Sequence, residues 1–218
     1  MKKKILIVLI FIFLLLLTFL GYKVFLLNKY KTNERTLDTN TIFIETVTIS
    51  NDKKVDGDVI IFEELSVKNY FNEFEEHKTN SNLKAKYDME GNVVSAYSIS
   101  KDKQYINSID LENDKIKTDI ELFKYIKDNY YFKNTIFTSK KIIENNYLIN
   151  SFVENGMPEF ENITLINGKI NGYILGMGNS RKEIHLLHNN EQYIISLIGE
   201  ELINNEFVMN LLETVEFS

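Results

Sequence analysis

The sequence predicts an α+β fold: an N-terminal transmembrane helix, then a soluble domain with an antiparallel sheet that ends in a C-terminal β-meander and an amphipathic helix. Three observations support this class. An apolar run occupies positions 5–27. In the last third of the chain, four segments rich in β-branched residues follow one another between short turns. After Gly199, apolar residues recur every four positions, as they do along one face of a helix.

The N-terminal run has the length and the flanking residues of a membrane anchor. It extends from Ile5 to Leu27, and up to Leu20 it is interrupted only by Thr18. About 20 apolar residues cross ~30 Å of hydrocarbon, and a long side chain such as that of Lys23 can carry its ammonium to the headgroups. The residues around Leu20 are bulky and form no small-residue cleavage site. The segment is therefore predicted to be an uncleaved signal-anchor.

The prediction divides the chain into a cytoplasmic tail over 1–4, a transmembrane helix over 5–27, a polar linker over 28–41 and an extracytoplasmic domain over 42–218. A further option is a sub-boundary near 112–118 inside that domain. Basic residues both precede and follow the helix, so the positive-inside rule is nearly balanced. The basic start and apolar core are typical of an export signal. They favour a single-pass protein of the cell membrane with its C-terminal domain extracellular.

Composition narrows the classes of function. Beyond position 27 the chain carries 21 of its 25 Lys and Arg residues and all 31 Asp and Glu residues, a net charge of −10. A surface of that sign repels nucleic acid, so no nucleic-acid partner is expected. The absence of Cys excludes disulfides, thiolate metal ligands and a Cys nucleophile. Abundant Ile, Asn and Lys, which have AT-rich codons, indicate a bacterial source of low GC content.

The first two thirds of the domain mix strand and helix patterns. β-Branched and aromatic residues predict strands, and apolar residues three or four positions apart predict helices. Gly91 favours a tight turn because glycine adopts positive φ readily, and Thr118 with Glu121 forms a capping-box pattern at a helix start. The predicted elements are a strand over 42–49, a helix over 66–77, a hairpin of 83–88 with 93–99, a third strand over 104–111, and a helix from Thr118 whose apolar stripe reaches Tyr130.

The C-terminal third is predicted to be a four-stranded meander closed by a helix. Asn167-Gly168 is a strong hairpin signal. Gly199 ends the sheet, and Glu200-Glu201 place negative charge at the positive end of the following helix. The strands are predicted over 163–166, 169–177, 182–188 and 192–198. The apolar face that we expect to cover the sheet consists of Ile203, Phe207, Leu211 and Val215, joined by Val208 and Leu212.

No catalytic, cofactor-binding or metal-binding residue is predicted, because each candidate has a simpler structural interpretation. His185 and His188 are three residues apart on a predicted strand, so they point to opposite faces and cannot share one metal. We expect both to be partly exposed near strand ends. The segment Gly176–Arg181 resembles the start of a dinucleotide-binding loop but lacks its third glycine and precedes a strand. It is predicted to be a hairpin turn.

Acidic and aromatic clusters also receive structural interpretations. Glycosidase-type chemistry needs two carboxylates that converge in a cleft, which adjacent positions in sequence do not establish. The acidic residues at 110–114 alternate, but Lys115 occupies the place where a calcium loop requires glycine. Tyr70-Phe71 and residues 130–132 are predicted to fill a core, with a ligand pocket as the alternative. The acidic residues assigned to solvated surfaces are Glu63-Glu64, Glu73, Glu75-Glu76 and Glu200-Glu201.

The C-terminal pattern resembles a known bacterial domain. The shared features are strands with Gly172-Tyr173-Ile174-Leu175, Glu183-Ile184 and Gln192–Leu197, then Glu200-Glu201-Leu202-Ile203 leading to Leu211–Val215. Over residues 162–217 the sequence is similar to the uncharacterised C-terminal extracytoplasmic domain of bacterial anti-sigma-factor-like single-pass membrane proteins. The resemblance implies an extracytoplasmic binding or sensing module, and it supplies no catalytic residues.

We therefore expect a membrane-anchored extracytoplasmic binding or sensing module that is not an enzyme and needs no cofactor. The expected partners are membrane lipid, through the N-terminal helix, and a protein or cell-envelope component. The alternative is an envelope-acting hydrolase that uses convergent carboxylates. Two carboxylates in a pocket, with a raised pKa, favour the hydrolase, whereas exposed apolar surface favours the binding module.

Overall fold

The computed structural model describes eight stretches of the chain, which belong to two compact units. The described stretches are residues 2–30, 43–50, 57–77, 80–108, 116–129, 134–154, 162–177 and 179–218. The first unit comprises 1–37, 109–117 and 121–157, and the second comprises 38–108, 118–120 and 158–218. Helices and mostly antiparallel strands are both present, so the predicted α+β class is confirmed.

The chain begins with α1, a single helix over Lys2–Lys29. Its segment Ile5–Lys29 spans 25 residues with a mean hydropathy of 3.0, so it is long and apolar enough to cross a membrane. This agrees with the apolar span predicted over 5–27. The helix continues through the first two residues of the predicted 28–41 linker, and most of that linker lies outside the described residues.

Within the first unit, the end of α1 contacts the region of α3, Lys140–Glu154. The Lys23 ammonium donates to the Thr138 carbonyl oxygen at 2.5 Å, and Lys23 is only 8% exposed. The Tyr30 hydroxyl donates to Glu144 Oε1 at 2.8 Å. Two polar contacts therefore fix the last turns of α1 against this region. Helix α3 is not among the elements predicted from the sequence.

Helix α2, Asp119–Asn129, begins where the capping-box pattern predicts a helix. The Glu121 carboxylate accepts from the backbone N–H of Lys117 at 2.7 Å, one residue before the position that the pattern specifies. Phe123, which belongs to the predicted apolar stripe, is fully buried, and Ile120 of the same stripe is partly buried; Leu122, outside the stripe, is fully buried as well. The predicted end of the stripe, at residue 130, lies outside the described residues.

Eleven described strands form two sheets in the second unit. They are β1 Phe43–Ile49, β2 Val59–Phe62, β3 Leu65–Lys68, β4 Glu75–His77, β5 Asn80–Tyr87, β6 Val93–Asp102, β7 Asn162–Gly168, β8 Asn171–Met177, β9 Arg181–His188, β10 Glu191–Ile198 and β11 Glu216–Phe217. The large sheet has the order β1-β7-β8-β9-β10-β6-β5-β4, and the small sheet has the order β11-β3-β2. All neighbours are antiparallel except β1 and β7.

Strands β7 to β10 are the predicted meander, and each lies within two residues of its predicted ends. At the end of β7, Gly168 has φ +124°, and an added Cβ would lie 2.2 Å from the Ile49 carbonyl oxygen. Only glycine fits there, because β1 pairs alongside. Asn189 and Asn190 turn between β9 and β10 with φ 50° and 65°, which suits a two-residue hairpin turn. The predicted hairpin around Gly91 is also confirmed, as β5 and β6.

The helix predicted over 66–77 is wrong, because β3 and β4 occupy most of that segment. Val67 is buried as an inward-facing residue of β3. Phe71 is buried as well, with its ring stacked on Tyr97 at a centroid distance of 3.8 Å. The Asn69 side chain accepts from the Phe71 N–H at 2.9 Å, so a local turn takes the place of helical hydrogen bonding.

Two further predictions are corrected by the structure. The third strand predicted over 104–111 is wrong for residues 104–108, since Gln104 is not in a strand and Tyr105–Ser108 form a turn of 3-10 helix; residues 109–111 lie outside the described residues. The single C-terminal helix is in fact two, α4 Glu200–Ile203 and α5 Asn205–Leu212. Asn204 separates them because its side chain caps α5, accepting a backbone N–H of the first turn at 2.7 Å.

One face of the large sheet packs against α4, α5 and the small sheet in a single hydrophobic cluster. Leu211 and Val215 are fully buried there, as predicted for the stripe of the C-terminal helix, and Phe207 is partly buried. We call this side of the sheet the apolar face. Its buried strand residues include Ile174, Ile184, Leu186, Tyr193, Ile195 and Leu197.

Candidate functional site

The opposite face of β9 and β10 carries polar side chains, although it is buried as well. Successive strand residues point to opposite faces, so Ile184 and Leu186 enter the apolar face while Glu183 and His185 enter the other. We call the second side the polar face. The network on it consists of Asp119, Tyr173, Gln192, His185 and Glu183, with Arg181 and Ser196 at one end.

Asp119, at the start of α2, closes one end of the network and is fully buried. Its carboxylate accepts from the backbone N–H groups of Tyr105 at 3.0 Å and Ile106 at 2.7 Å. The Asp119 N–H in turn donates to Gln104 Oε1 at 3.2 Å. Burial raises the pKa of Asp119, while the hydrogen bond from Tyr173 and those from the backbone act in the opposite direction.

Tyr173, on β8, links Asp119 to the next strands. Its hydroxyl lies 2.7 Å from Asp119 Oδ2 and 3.3 Å from Gln192 Oε1. The side chain is fully buried, and burial raises the pKa of the phenol well above its usual value. Tyr173 therefore stays protonated and always has one hydrogen to donate.

His185 lies in the middle of the network and is fully buried. Its Nδ1 is 2.7 Å from Gln192 Nε2, and its Nε2 is 3.2 Å from Glu183 Oε2. The ring stacks on Tyr173, its partner across the β8–β9 pair, with centroids 4.5 Å apart and planes 13° apart. The expectation of a partly exposed His185 is wrong, because β9 is covered on both faces in its middle.

Glu183 closes the other end. Its Oε2 faces His185, and its Oε1 binds the Arg181 guanidinium and accepts from Ser196 Oγ at 3.4 Å. The hydrogen bond with His185 lowers the pKa of Glu183 against the effect of its burial, and the charge of Arg181 adds to this. The Arg181 side chain is 43% exposed, so the network reaches solvent at this end.

The network is a continuous chain of polar side chains, and its central members are closed off from solvent. Asp119, Tyr173 and His185 are each 0% exposed. Among the residues that the structure describes, no group of three or more His, Asp or Glu side chains is placed to hold a metal ion. Its members are therefore candidates for a structural or regulatory role.

His188 lies apart from this network. Its ring stacks on Phe217 with centroids 4.3 Å apart, and its Nε2 is 3.4 Å from Glu64 Oε2. It is partly exposed near the end of β9, as predicted. The two histidines have different partners and lie on opposite faces of β9, as predicted for residues three apart on a strand.

A surface groove of about 340 Å³ is a second candidate site in the second unit. Tyr70 is 38% exposed there, and its ring meets Phe207 edge-on at a centroid distance of 5.8 Å. The groove therefore offers aromatic surface beside charged groups. Its lining residues are Tyr70, Asn72, Glu73, Phe74, Lys86, Glu201, Leu202 and Phe207.

Three charged side chains of the groove are joined in one cluster. The Lys86 ammonium lies 2.9 Å from Glu73 Oε2 and 3.9 Å from Glu201 Oε2. Ser95 Oγ donates to the other oxygen of Glu201 at 2.5 Å. The hydrogen bond from Lys86 lowers the pKa of Glu73, and the pair of carboxylates raises the pKa of Lys86. Two acidic groups against one basic group leave the groove with one net negative charge.

The remaining sequence candidates are structural where the structure describes them. Lys101 bridges Glu63 and Glu191 on the surface, and these carboxylates raise the pKa of Lys101. Strands β8 and β9 pair up to Met177 and Arg181, and Asn179-Ser180 form a turn, as predicted for a hairpin; Gly178 lies outside the described residues. The acidic residues at 110–114 and the aromatic run at 130–132 lie outside the described residues.

Sequence reasoning did not identify the buried network. The available signal was the stretch from Glu183 to Leu187, in which two polar residues alternate with apolar ones inside a strand that the meander places centrally. A central strand is covered on both faces more often than an edge strand, so its polar residues need partners. Asp119 carries no such signal, because it is distant in sequence.

Comparisons with known proteins give no assignment. No family model matches the chain, and no curated protein and no solved structure is detectably similar to it. The functional case therefore depends on the residues and geometry given above.

Proposed function

We propose that this chain is a bacterial single-pass membrane protein whose second unit is an extracytoplasmic binding or sensing module. The support for the anchor is α1, with a 25-residue segment of high hydropathy next to lysines at its N-terminus. The acidic character of the chain beyond α1 fits a protein partner or a cell-envelope component better than nucleic acid. On this view the protein is not an enzyme.

The groove is the proposed binding site, and it is the observation that carries the proposal. Binding sites combine apolar or aromatic walls with a few placed polar groups, which the groove provides through Tyr70, Phe207 and the Lys86 cluster. Tyr70 leaves a large part of its ring exposed, although a ring edge of Phe207 lies next to it. A ligand with an apolar group and a cationic or hydrogen-bonding group matches this surface.

The alternative is an envelope-acting hydrolase with two convergent carboxylates. Glu73 and Glu201 do converge in the groove, and this is the observation in its favour. A general acid needs a raised pKa, however, and Lys86 lowers the pKa of Glu73. The carboxyl with a raised pKa, Asp119, is fully buried in the network. The geometry thus favours binding over hydrolysis.

The membrane orientation is tested with single introduced cysteines, since the chain contains none. In intact cells, a membrane-impermeant maleimide should label Ser180→Cys, in the exposed turn before β9, and should not label Lys3→Cys. Labelling of Lys3→Cys alone would reverse the orientation. Recovery of a soluble chain that begins near residues 25–35 would contradict the uncleaved anchor.

The binding site is tested by site-specific photocrosslinking in the full-length protein in its own membrane. A photoreactive residue in place of Asn72, inside the groove, should give a discrete adduct that disappears when Tyr70→Ala is added. The same photoreactive residue in place of Asn179, an exposed turn position, is the matched control and should not give that adduct. An adduct that is unchanged by Tyr70→Ala would exclude the groove as the site.

A further inference from the structure

Among the residues that the structure describes, the buried network on the polar face forms a chain of hydrogen-bonding groups between two anchored ends. Asp119 is anchored at one end by backbone N–H groups, and Glu183 is anchored at the other end by Arg181 and Ser196. Between them lie Tyr173, the Gln192 amide and His185. Buried polar atoms without partners are costly, so the protonation state of the network is decided by which state completes every contact.

With no proton on Asp119 or on His185 Nδ1, one contact fails. The Gln192 amide must then turn its NH₂ group to the unprotonated Nδ1 and its oxygen to Tyr173. The Tyr173 hydroxyl has a single hydrogen, and both the Asp119 carboxylate and the Gln192 oxygen need it. Asp119 keeps its two backbone N–H donors, but one of the two buried oxygen–oxygen contacts of Tyr173 is left without a hydrogen.

With a proton on both groups, a different contact fails. A protonated Asp119 donates to the Tyr173 oxygen, so the Tyr173 hydrogen must go to Gln192. A protonated His185 Nδ1 also needs the oxygen of Gln192. The Gln192 oxygen can accept from only one of these two donors, His185 Nδ1–H or the Tyr173 hydroxyl. The Gln192 NH₂ group then faces the other donor, and no hydrogen bond forms there.

With one proton for the pair, every contact is complete in either of two arrangements. In the first, Asp119 donates to Tyr173, Tyr173 donates to the Gln192 oxygen, and the Gln192 NH₂ donates to His185 Nδ1. In the second, His185 Nδ1–H donates to the Gln192 oxygen, the Gln192 NH₂ donates to Tyr173, and Tyr173 donates to the Asp119 carboxylate. His185 Nε2–H donates to Glu183 in both.

We propose that Asp119 and His185 share one proton and that the network is a buried proton switch whose two positions are set by the orientation of the Gln192 amide. Passing from the first arrangement to the second breaks the O–H bond on Asp119 and forms an N–H bond on His185 Nδ1. No electron is transferred, and the summed charge of Asp119, His185 and Glu183 stays at −1. Gain or loss of a proton breaks one buried contact.

The groups around His185 support this assignment of the titrating pair. Among the described residues, the groups that contact or face the ring come from five elements. They are Glu183 and Arg181 on β9, Tyr173 on β8, Gln192 on β10, Tyr105 on the 3-10 helix and Asp119 on α2. Burial raises the pKa of Tyr173 well above its usual value and that of Tyr105 to about 12, and His185 lowers that of Glu183. The phenols stay neutral and Glu183 stays ionised, which leaves Asp119 and His185 to exchange the proton.

The proposal is tested by NMR titration of the full-length protein in detergent micelles, following the His185 ring nitrogens and the Asp119 carboxyl carbon. Two sites that share a proton titrate with common macroscopic steps. In the native protein, both signals should therefore change in the same two steps. If each signal changes in one step with its own midpoint, the proposal is overturned, and this measurement needs no variant.

Tyr173→Phe provides the second measurement, because it removes the hydroxyl that connects Asp119 to Gln192. The two signals should then titrate independently, each in a single step with its own midpoint. Tyr97→Phe is the matched control, since its ring stacks on Phe71 at the apolar face, and it should leave the common steps unchanged. Common steps that persist in Tyr173→Phe would overturn the coupling through Tyr173.

Discussion

In the middle of the large sheet, on β9 and β10, both faces are buried, yet they are stabilised by different interactions. On the apolar face, residues such as Ile184 and Ile195 pack against α4, α5 and the small sheet. On the polar face, Glu183 and His185 use neighbouring positions of the same strand to build a hydrogen-bonded network. The apolar face tolerates any change that keeps volume, whereas the polar face tolerates only changes that keep every partner. Strand β9 thus contributes to apolar packing on one face and to a hydrogen-bonded network on the other.

The largest loss of stability is expected from the apolar face. Leu211→Ala removes a fully buried side chain of α5 and leaves a cavity, at a cost of about 2–5 kcal/mol in the free energy of unfolding. Chemical denaturation of the full-length protein in detergent measures it. Glu206→Ala, exposed in the first turn of α5, should change stability by less than about 0.5 kcal/mol. Equal effects of the two variants would mean that α5 does not pack as described.

A smaller loss is expected from the polar face. Tyr173→Phe keeps the shape of the ring but removes the donor to Asp119, leaving a buried carboxyl short of a partner at a cost of about 1–3 kcal/mol. Tyr97→Phe changes the same atom on the apolar face and should cost under about 0.5 kcal/mol. Equal melting temperatures for the two variants would contradict the claim that the hydroxyl on the polar face contributes more to stability than the one on the apolar face.

The polar face should make the stability of the protein depend on pH. Glu183 at one end of the network should stabilise the fold at higher pH, and Asp119 at the other end should stabilise it at lower pH. The lowered pKa of Glu183 gives stability that is present above its unfolded pKa and is lost as pH falls through the folded value. The raised pKa of Asp119 gives stability that is present below its unfolded pKa and is lost as pH rises through the folded value. Glu183→Gln should therefore flatten the acidic limb of the melting-temperature profile.

The control for this profile is Glu206→Gln, which changes an exposed carboxylate of α5 and leaves the network intact. Its melting-temperature profile should follow that of the native protein. A native acidic limb in Glu183→Gln would show that other carboxylates produce it, and the polar face would then not govern the response to pH.

The smallest change in stability is expected in the groove, away from both buried faces. Glu73→Gln weakens an ion pair with Lys86 between exposed side chains, which water and salt already screen. The melting temperature should stay within error of the native value, while the photocrosslinked adduct at position 72 should decrease. A clear fall in melting temperature would instead assign the Lys86 cluster a structural role.

The sequence predicted the meander well because its signals are local. Turn residues such as Asn189-Asn190 and β-branched runs act over a few positions, and the strands lie within two residues of their predicted ends. The helix predicted over 66–77 is wrong because apolar residues at helical spacing can also be buried by strands and turns, and their spacing alone does not distinguish the two. Val67 is held by the small sheet, whose partner strand β11 comes from the far end of the chain.

The candidate sites were less predictable because their residues meet only in the folded chain. Tyr173 and Asp119 are 54 positions apart, and no local sequence pattern indicates that their side chains meet. The groove joins residues near position 70 to α4 and α5 in the same way. For Tyr70-Phe71 the sequence left core packing and a ligand pocket as alternatives. In the structure Phe71 is buried in the core, while Tyr70 lines the groove.

The contact between Lys23 and the Thr138 carbonyl has a consequence for how far the first unit stands from lipid. If α1 crosses a bilayer, the 18 residues from Ile5 to Tyr22 cover about 27 Å at ~1.5 Å per residue, which places Lys23 at the headgroup level. Thr138 then lies at the same height, because the two groups touch. If α1 is such a span, the first unit rests on the bilayer surface instead of standing on a stalk, and lipid headgroups are part of its immediate surroundings.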